Sequence, residues 1–329
     1  MAPTSSDFAQ RGPHAVGVLQ TFFDAPDPSA SPSEGPNRSK ETRRLPAEIW
    51  YPAAPGQAVT HNAQHPLGLP HLATPGLKPA QDLRPLIAFS HGNSGLRQQS
   101  TFLTTHLASW GFVVVAPDHV GNTFSETLAL ENDEERKAAH LIARATRPTD
   151  LIAPIRGLLD DGDHATDLPP LDPQRLGALG HSFGGWTAIK ASALEPRIRA
   201  LCCLAPASEP FVGRKAFDAG ELPLREDLEA YILAAGDDVL VDLETSIEPL
   251  YERLGPHAKL QVLGGLDHFH FCDGIEMLHR MHLNNPRDRQ HRPTKPLDAL
   301  RGEPETHTLL QTRVTRFFHE TLPGADHER

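Results

Sequence analysis

The chain has 329 residues and a formal net charge of −11, with 39% hydrophobic and 22% charged residues. This composition can supply a sizeable core and excludes a wholly disordered chain. The acidic balance makes nucleic acid an unexpected partner, because an acidic surface repels a phosphate backbone. No run approaches the roughly 18 consecutive apolar residues of a membrane-spanning helix.

The N-terminal residues and the number of cysteines both bear on the compartment in which the protein is expected to fold. The first residues lack the basic start and apolar run of an export signal. Cys202, Cys203 and Cys272 are an odd number of thiols in a long chain, which argues against a disulfide framework. We therefore expect a cytoplasmic protein.

The N-terminal part, residues 1–85, holds 14 of the 31 prolines of the chain. Two stretches in it, residues 16–25 and 45–51, have the apolar content of strands, and a Pro/Ser-rich loop separates them. The stretch that follows, residues 52–85, carries only scattered apolar residues. We predict edge strands with long irregular connections here rather than an independent domain.

From residue 86 onward, short apolar runs alternate with stretches of helical periodicity. This alternation is typical of an α/β fold with a mostly parallel central sheet and helices on both faces. We predict one domain over residues 1–329, with its catalytic core at 86–275 and a C-terminal insert and helix at 276–329. The predicted strands are residues 86–90, 112–116, 175–180, 198–205, 230–235 and 259–263, and the predicted helices are 102–110, 151–159, 186–194, 243–254 and 305–322.

The motif GHSFGG at residues 180–185 follows a predicted strand and precedes a predicted helix. In a nucleophile elbow the backbone turns so sharply that the side chains near the serine must be tiny, and the three glycines meet that demand. The alternative is a glycine-rich turn with a capping serine. The strand–turn–helix context favours Ser182 as a nucleophile at a helix N-terminus, where N–H groups favour negative charge.

A nucleophilic serine needs a base and an acid that orients the base, in the chain order Ser, Asp or Glu, His for this kind of elbow. Asp238 is the favoured acid, with Asp237 and Asp242 as alternatives after the same predicted strand. His268 is favoured over His270 as the base, because it comes directly after the Gly-Gly turn that ends the next strand.

The oxyanion of an acyl-transfer reaction needs two N–H donors. One is expected from Phe183, the residue after the nucleophile, and the other from the loop SHGNSG that follows the strand at residues 86–90, with Asn93 as the donor. The alternative is a tight strand–helix turn in which the glycines serve only the backbone conformation.

These segments resemble the α/β-hydrolase superfamily. More narrowly, they are similar to the branch that holds platelet-activating-factor acetylhydrolases, predicted dienelactone hydrolases and cutinase-like polyester hydrolases. The matching strings are AEIWYPAA, PLIAFSHGNSG, HLASWGFVVVAPDHVGNT, GHSFGG, ILAAGDDVLVD and DHFHFCD. The resemblance implies the α/β-hydrolase fold and hydrolysis of a small to medium carboxylic ester through an acyl-enzyme, with no metal or organic cofactor.

Two departures from the family pattern bear on the site. The eukaryotic acetylhydrolases take their acid from the strand after the elbow helix, but here that strand ends in residues 204–206 without a carboxylate. The acid must then follow the next strand, as in the polyester hydrolases, which supports Asp238. The family spacing of His268, Phe271 and Asp273 supports His268. True dienelactone hydrolases use a cysteine nucleophile, so that activity does not carry over to a chain with Ser182.

Other functions remain open at this point. An acyltransferase would use the same three residues, whereas catalytically inactive binding proteins of this fold usually lack one of them. A zinc site is a further alternative, because His-x-His spacing can bind zinc. It would draw on Asp267, His268, His270, Asp273 and His279.

Substrate contacts are the least specific part of the sequence. Trp186 and Phe269 are expected to line an apolar acyl pocket, although buried aromatic residues more often belong to the core. A small lid is expected from residues 207–229 or from parts of 119–147. Within the second stretch, residues 132–147 have the pattern of an exposed, partly amphipathic helix, and their charge run is typical of a solvated face.

Overall fold

The computed structural model describes residues 7–27, 42–57, 59, 62–164, 166–213, 216–218, 222, 225–285 and 293–323. The strands of this part of the chain are β1 (Val16–Pro26), β2 (Thr42–Pro52), β3 (Thr74–Pro75), β4 (Arg84–Ser90), β5 (Val113–Pro117), β6 (Leu171–His181), β7 (Ile198–Leu204), β8 (Glu229–Ala235) and β9 (Ala258–Leu263). They form one sheet in the order β3-β1-β2-β5-β4-β6-β7-β8-β9.

The described helices follow the strands in alternation over most of the chain. They are α1 (Thr101–Ser109), α2 (Phe124–Leu128), α3 (Asp133–Leu159), α4 (Phe183–Leu194), α5 (Glu209–Val212), α6 (Glu248–Leu254), α7 (Ile275–Asn284) and α8 (Glu303–Thr321). Strands β4 to β9 each run parallel to their neighbours within this group. Their carboxyl ends therefore meet at one edge of the sheet, where ligands bind in open α/β sheets.

Both faces of the central sheet are buried. Along β4, Leu86 and Ala88 belong to one hydrophobic cluster, and Ile87 and Phe89 belong to the other, as the two-residue period of a strand requires. Side chains of α3, α4 and α6 complete the first cluster, and side chains of α1 and α8 complete the second. The α/β architecture that the sequence predicts is confirmed.

The N-terminal strands depart from the prediction of edge strands. Strand β2 pairs antiparallel with β1 on one side and with β5 on the other, so it lies inside the sheet. Its Glu48 is fully buried, as fits a strand inside the sheet rather than a strand at its edge. The outermost strand on this side is the two-residue β3. From residue 28 on, the predicted Pro/Ser-rich loop lies outside the described residues.

Two helices were only partly predicted. The sequence predicts an exposed, partly amphipathic helix at 132–147 and a second helix at 151–159, but the structure joins them in the single helix α3, which begins at Asp133. Arg147 lies fully buried within α3, so the end of the stretch that the sequence predicts to be exposed reaches the core. Helix α7 lies in the region predicted only as an insert, and it packs near the carboxyl edge of the sheet, where it contributes to the cavity described below.

Candidate active site

The turn between β6 and α4 holds Ser182 in a backbone conformation that is rare for a residue with a side chain, with φ 55° and ψ −120°. Such strain persists only where the surroundings impose it. Here the Ser182 N–H donates to the Leu204 carbonyl of β7 at 2.9 Å, and the Ser182 carbonyl accepts from the Ala207 N–H at 2.9 Å. These contacts fix the serine above the carboxyl edge of the sheet.

The neighbouring glycines are a steric requirement of this turn. A Cβ on Gly180 would lie 2.1 Å from the Gly184 carbonyl oxygen, and a Cβ on Gly184 would lie 2.0 Å from the Ser90 carbonyl oxygen. Both neighbours are backbone atoms, which cannot move aside as a flexible side chain could. The close approach of the elbow to the end of β4 therefore depends on glycine at both positions.

The hydroxyl of Ser182 does not serve as a helix cap. Within the described part of the chain, its side chain makes no capping hydrogen bond to α4, although Ser182 precedes the first helical residue. Phe183 is that first residue, so its N–H has no partner within the helix. Ser182 is 8% exposed and lines a cavity. The capping role that the sequence left open is thus not what the structure shows.

The imidazole of His268 is held by Asp238. Its Nδ1 lies 2.7 Å from Asp238 Oδ2, and Asp238 Oδ1 accepts hydrogen bonds of 2.8 Å from the N–H groups of Leu240 and Val241. A carboxylate that accepts the Nδ1 proton leaves Nε2 of the ring as a base. His268 and Ser182 line the same cavity. Within the described part of the chain, no hydrogen bond joins Ser182 to His268. Hydrogen bonds between a nucleophile and its base commonly tighten only in the substrate complex.

The alternative carboxylates make other contacts. Asp237 accepts a hydrogen bond of 2.8 Å from the Gly265 N–H and pairs with Lys295, and the hydrogen bond from Lys295 is the main cause that lowers its pKa. Asp242 caps the turn after it by accepting from the Thr245 N–H at 2.8 Å. Of the three candidate acids, Asp238 is the one that the structure brings to His268.

Three of the five residues of the alternative zinc site form a hydrogen-bonded group. Asp267 bridges two imidazoles, with Oδ1 2.6 Å from His270 Nδ1 and Oδ2 2.7 Å from His279 Nδ1. Asp273 instead accepts from the N–H of Phe102 at 3.0 Å at the start of α1. The described residues contain no group of three or more His, Cys, Asp or Glu arranged to hold a metal ion.

The segment at residues 90–95, which starts with the last residue of β4, is named the oxyanion loop after the role that the sequence predicts for Asn93. Asn93 lines the cavity, and its Oδ1 accepts a hydrogen bond of 3.0 Å from the Asn122 side chain. Arg147 donates in turn to Asn122 Oδ1 at 2.6 Å and to the His91 carbonyl. Complete burial lowers the pKa of Arg147 to about 9. The Arg147 guanidinium also lies 4.6 Å from the centre of the Phe183 ring.

Arg147 is one contact residue of the site that the sequence did not predict. It touches the loop that carries Asn93 and the ring of Phe183, the two residues expected to supply oxyanion donors. Its place in a charge-rich stretch gave no signal for burial. The only available hint was that it precedes an apolar helical stretch that starts at Leu151.

A cavity of about 660 Å³ opens beside Ser182 and His268. Phe269 lines it as expected, whereas Trp186 lies in the core, where its Nε1–H donates to the Ala216 carbonyl at 2.8 Å. None of the described lining residues is Lys or Arg. The apolar part of the wall includes Leu67, Leu96, Phe124, Phe211, Leu240 and Met281.

Comparison with known proteins gives a lipase and platelet-activating factor acetylhydrolases among the relatives. Residues 52–149 match the family model of platelet-activating factor acetylhydrolase, isoform II. A lipase, Lipase 1 of Moraxella sp. (strain TA144), is 30% identical over 167 residues, which are 50% of this chain and 41% of that protein. The platelet-activating factor acetylhydrolase of Cavia porcellus is 26% identical over 218 residues, 57% of this chain and 48% of that protein.

The chain thus spans less than half the length of these curated relatives. Among solved structures, a ferulic acid esterase from Streptomyces cinnamoneus superposes with a TM-score of 0.66 at 20% identity, and the match covers 96% of this chain and 94% of that one. Among the described helices, none combines the length and apolar character needed to cross a membrane. The chain therefore has the α/β-hydrolase fold, and over part of its length it is similar to a lipase and to platelet-activating factor acetylhydrolases.

Proposed function

We propose that this protein hydrolyses carboxylic esters, with Ser182 as nucleophile, His268 as base and Asp238 as the acid that orients the base. The observation that carries the proposal is the strained Ser182 at the start of α4, in the same cavity as an imidazole whose Nδ1 is held by a buried carboxylate. Strain of this kind clusters at active sites, and the lipase and acetylhydrolase relatives support the same reaction class.

The proposed reaction uses the hydrogen bond that holds Nδ1 of His268 on Asp238. His268 Nε2 takes the proton of Ser182 as its Oγ attacks the ester carbonyl, and Asp238 stabilises the imidazolium that forms. The negative oxygen of the tetrahedral intermediate is received by the N–H groups of Phe183 and Asn93. His268 then protonates the leaving alcohol, and in the second half it activates the water that releases the acid.

The cavity indicates the class of ester. Its wall is largely apolar and, over the described residues, carries no Lys or Arg that could pair with a substrate anion. A buried anion without a partner is costly. A volume of about 660 Å³ lies within the range of small-molecule sites. We propose a neutral ester of small to medium size with an apolar acyl or alcohol group.

The decisive experiment compares wild-type protein with Ser182→Ala on p-nitrophenyl acetate, butyrate and octanoate. The variant should lose at least about 10³-fold in kcat, as expected when a nucleophile is removed, and a fluorophosphonate probe should label only the wild type. A wild-type protein that neither hydrolyses any of the esters nor reacts with the probe would refute the proposal. So would a Ser182→Ala variant that keeps most of the activity.

A further inference from the structure

The side chain of Gln99 lies at the cavity wall between the oxyanion loop and the elbow. Its Oε1 accepts a hydrogen bond of 2.8 Å from the Gly92 N–H. Because a backbone N–H can only donate, this contact fixes which end of the amide is the carbonyl. The Nε2 group of Gln99 therefore faces His181, whose Nδ1 lies 3.0 Å away.

One tautomer of His181 follows from this contact. The amide NH₂ can only donate, so Nδ1 of His181 accepts and Nε2 carries the ring proton. That Nε2–H donates to the backbone carbonyl of His268 at 3.1 Å. Burial lowers the pKa of His181 well below its usual value, so the ring stays neutral and Nδ1 remains an acceptor. These hydrogen bonds connect the elbow, the oxyanion loop and the segment at residues 264–273, called the base loop here.

The surroundings of Gln99 are shaped to this side chain. A Cβ on Gly95 would lie 2.6 Å from Gln99 Oε1, and a Cβ on Gly92 would lie 3.2 Å from both Gln99 Oε1 and His181 Nδ1. The backbone of Gln99 is also tied to the base loop, since its carbonyl accepts the Asp273 N–H at 2.9 Å. Glycine in the oxyanion loop thus makes room for the amide that bonds to it.

We propose that Gln99 and His181 are positioning residues for the hydrolysis described above. They hold the oxyanion loop, the nucleophile elbow and the base loop at fixed separations through one amide and one imidazole. This proposal rests on the proposed function, because the three segments matter together only if their groups act on one ester. Neither residue takes a proton from the substrate; both act by fixing the groups that do.

The first test is Gln99→Met, which keeps the side-chain length and removes the hydrogen bonds with Gly92 and His181, together with a longer one of 3.5 Å to Ser100 Oγ. We expect kcat on p-nitrophenyl butyrate to fall at least about tenfold with KM changed less than about threefold, since small misplacements of reacting groups cost rate rather than ground-state binding. The melting temperature is measured in parallel. The control is Gln311→Met, which removes a hydrogen bond of 2.9 Å from another glutamine to the α1 backbone, away from the cavity.

The second test is Gln99→Glu, which keeps an acceptor for Gly92 but places another acceptor opposite His181 Nδ1. The contacts with Gly92 and His181 and the donation from His181 Nε2–H to the His268 carbonyl are all satisfied only if a proton is taken up. The pH profile of kcat/KM should therefore gain an ionisation that the wild type and Gln99→Met lack. The titratable groups that face this position are His181 from the elbow, His91 from the oxyanion loop, and His268, Cys272 and Asp273 from the base loop.

The outcomes separate this inference from the proposed function. An active wild type whose Gln99→Met variant keeps kcat within about threefold, or loses only what Gln311→Met loses, overturns the positioning role alone. If Gln99→Met does not fold, Gln99→Glu decides, and an unchanged kcat and pH profile overturn the role. A wild type that is inactive and unlabelled by the fluorophosphonate overturns both proposals.

Discussion

Asp238 and His268 are joined by a 2.7 Å hydrogen bond between Oδ2 and Nδ1, although 30 residues of chain separate them. Strands β8 and β9 are neighbours in the sheet and run parallel, so the turns that follow them meet at one edge. The side chain of Asp238 is 1% exposed and that of His268 is 8% exposed. The parallel pairing of β8 with β9 therefore places the carboxylate of Asp238 beside the imidazole of His268.

The adjacent acids give a matched pair of variants. Asp238→Asn should lower kcat by about 10²- to 10⁴-fold, because an amide at this position no longer fixes the tautomer of His268. Asp237→Asn should leave kcat within a few-fold of wild type, because Asp237 contacts Gly265 and Lys295 instead. Steady-state kinetics on p-nitrophenyl butyrate check both. Equal losses of kcat in the two variants would show that Asp238 is not the acid that orients His268.

The elbow glycines give a prediction about stability. Gly184→Ala should lower the free energy of unfolding by about 2 kcal/mol or more and abolish activity, since its Cβ would lie 2.0 Å from the Ser90 carbonyl oxygen. The control is Gly264→Ala in the base loop, where a Cβ would meet nothing within 4 Å. Urea unfolding measures both. An elbow that accepts alanine at 184 without loss would contradict the close approach to β4.

The cavity predicts discrimination by charge. The neutral p-nitrophenyl butyrate should be hydrolysed with kcat/KM at least about tenfold above that of p-nitrophenyl hemisuccinate, whose carboxylate would lose its water without gaining a partner. Met281→Lys should narrow that ratio, because residue 281 lines the cavity and is 45% exposed. Leu128→Lys, at a residue outside the cavity lining, is the control. A ratio near one in the wild type would argue against the proposed substrate class.

The buried carboxyl of Asp273 leads us to expect that the stability of the fold depends on pH. Its burial raises the pKa to about 7, so between the unfolded pKa of about 4 and pH 7 the folded state binds the proton more tightly. The contribution of this carboxyl to stability is therefore greatest in acid and declines as pH rises through that window. The free energy difference between wild type and Asp273→Asn should shrink from pH 4.5 to pH 8.

Urea unfolding at those two pH values checks the prediction. Asp242→Asn is the control, because a hydrogen bond from Thr245 lowers the pKa of Asp242, so that its charge is constant over the window. A difference for Asp273→Asn that grows with pH would show that the carboxylate, not the acid, is the form that folding favours.

Much of the fold could be predicted because its signal is local. The apolar runs of β4 to β9 and the glycines of the elbow are patterns of residues that are close together in the sequence, so they predict the strands and the turn. The chain order expected for the acid and the base then predicts Asp238 and His268, each after the end of a strand. The interior position of β2 could not be predicted in this way. It depends on pairing with β5, more than 60 residues away, and no local pattern records that partner.

The unpredicted parts of the site are contacts across long sequence distances. Arg147 donates to the His91 carbonyl 56 residues away, and His181 reaches His268 across 87 residues. A charged side chain in a helix is exposed far more often than buried, so residue type alone pointed the wrong way for Arg147. Trp186 is the opposite case. The sequence predicts that this aromatic residue near the nucleophile lines the cavity, but it packs in the core.

The cavity wall and the groups proposed to react come from different parts of the architecture. Ser182, Asp238 and His268 stand at strand ends, whereas Leu67, Leu69 and the residues of α7 belong to the inserts before β4 and after β9. Lengthening or rebuilding those inserts would alter which molecules enter without disturbing the sheet edge. In evolution or in engineering, selectivity and chemistry in this scaffold can accordingly diverge at separate rates.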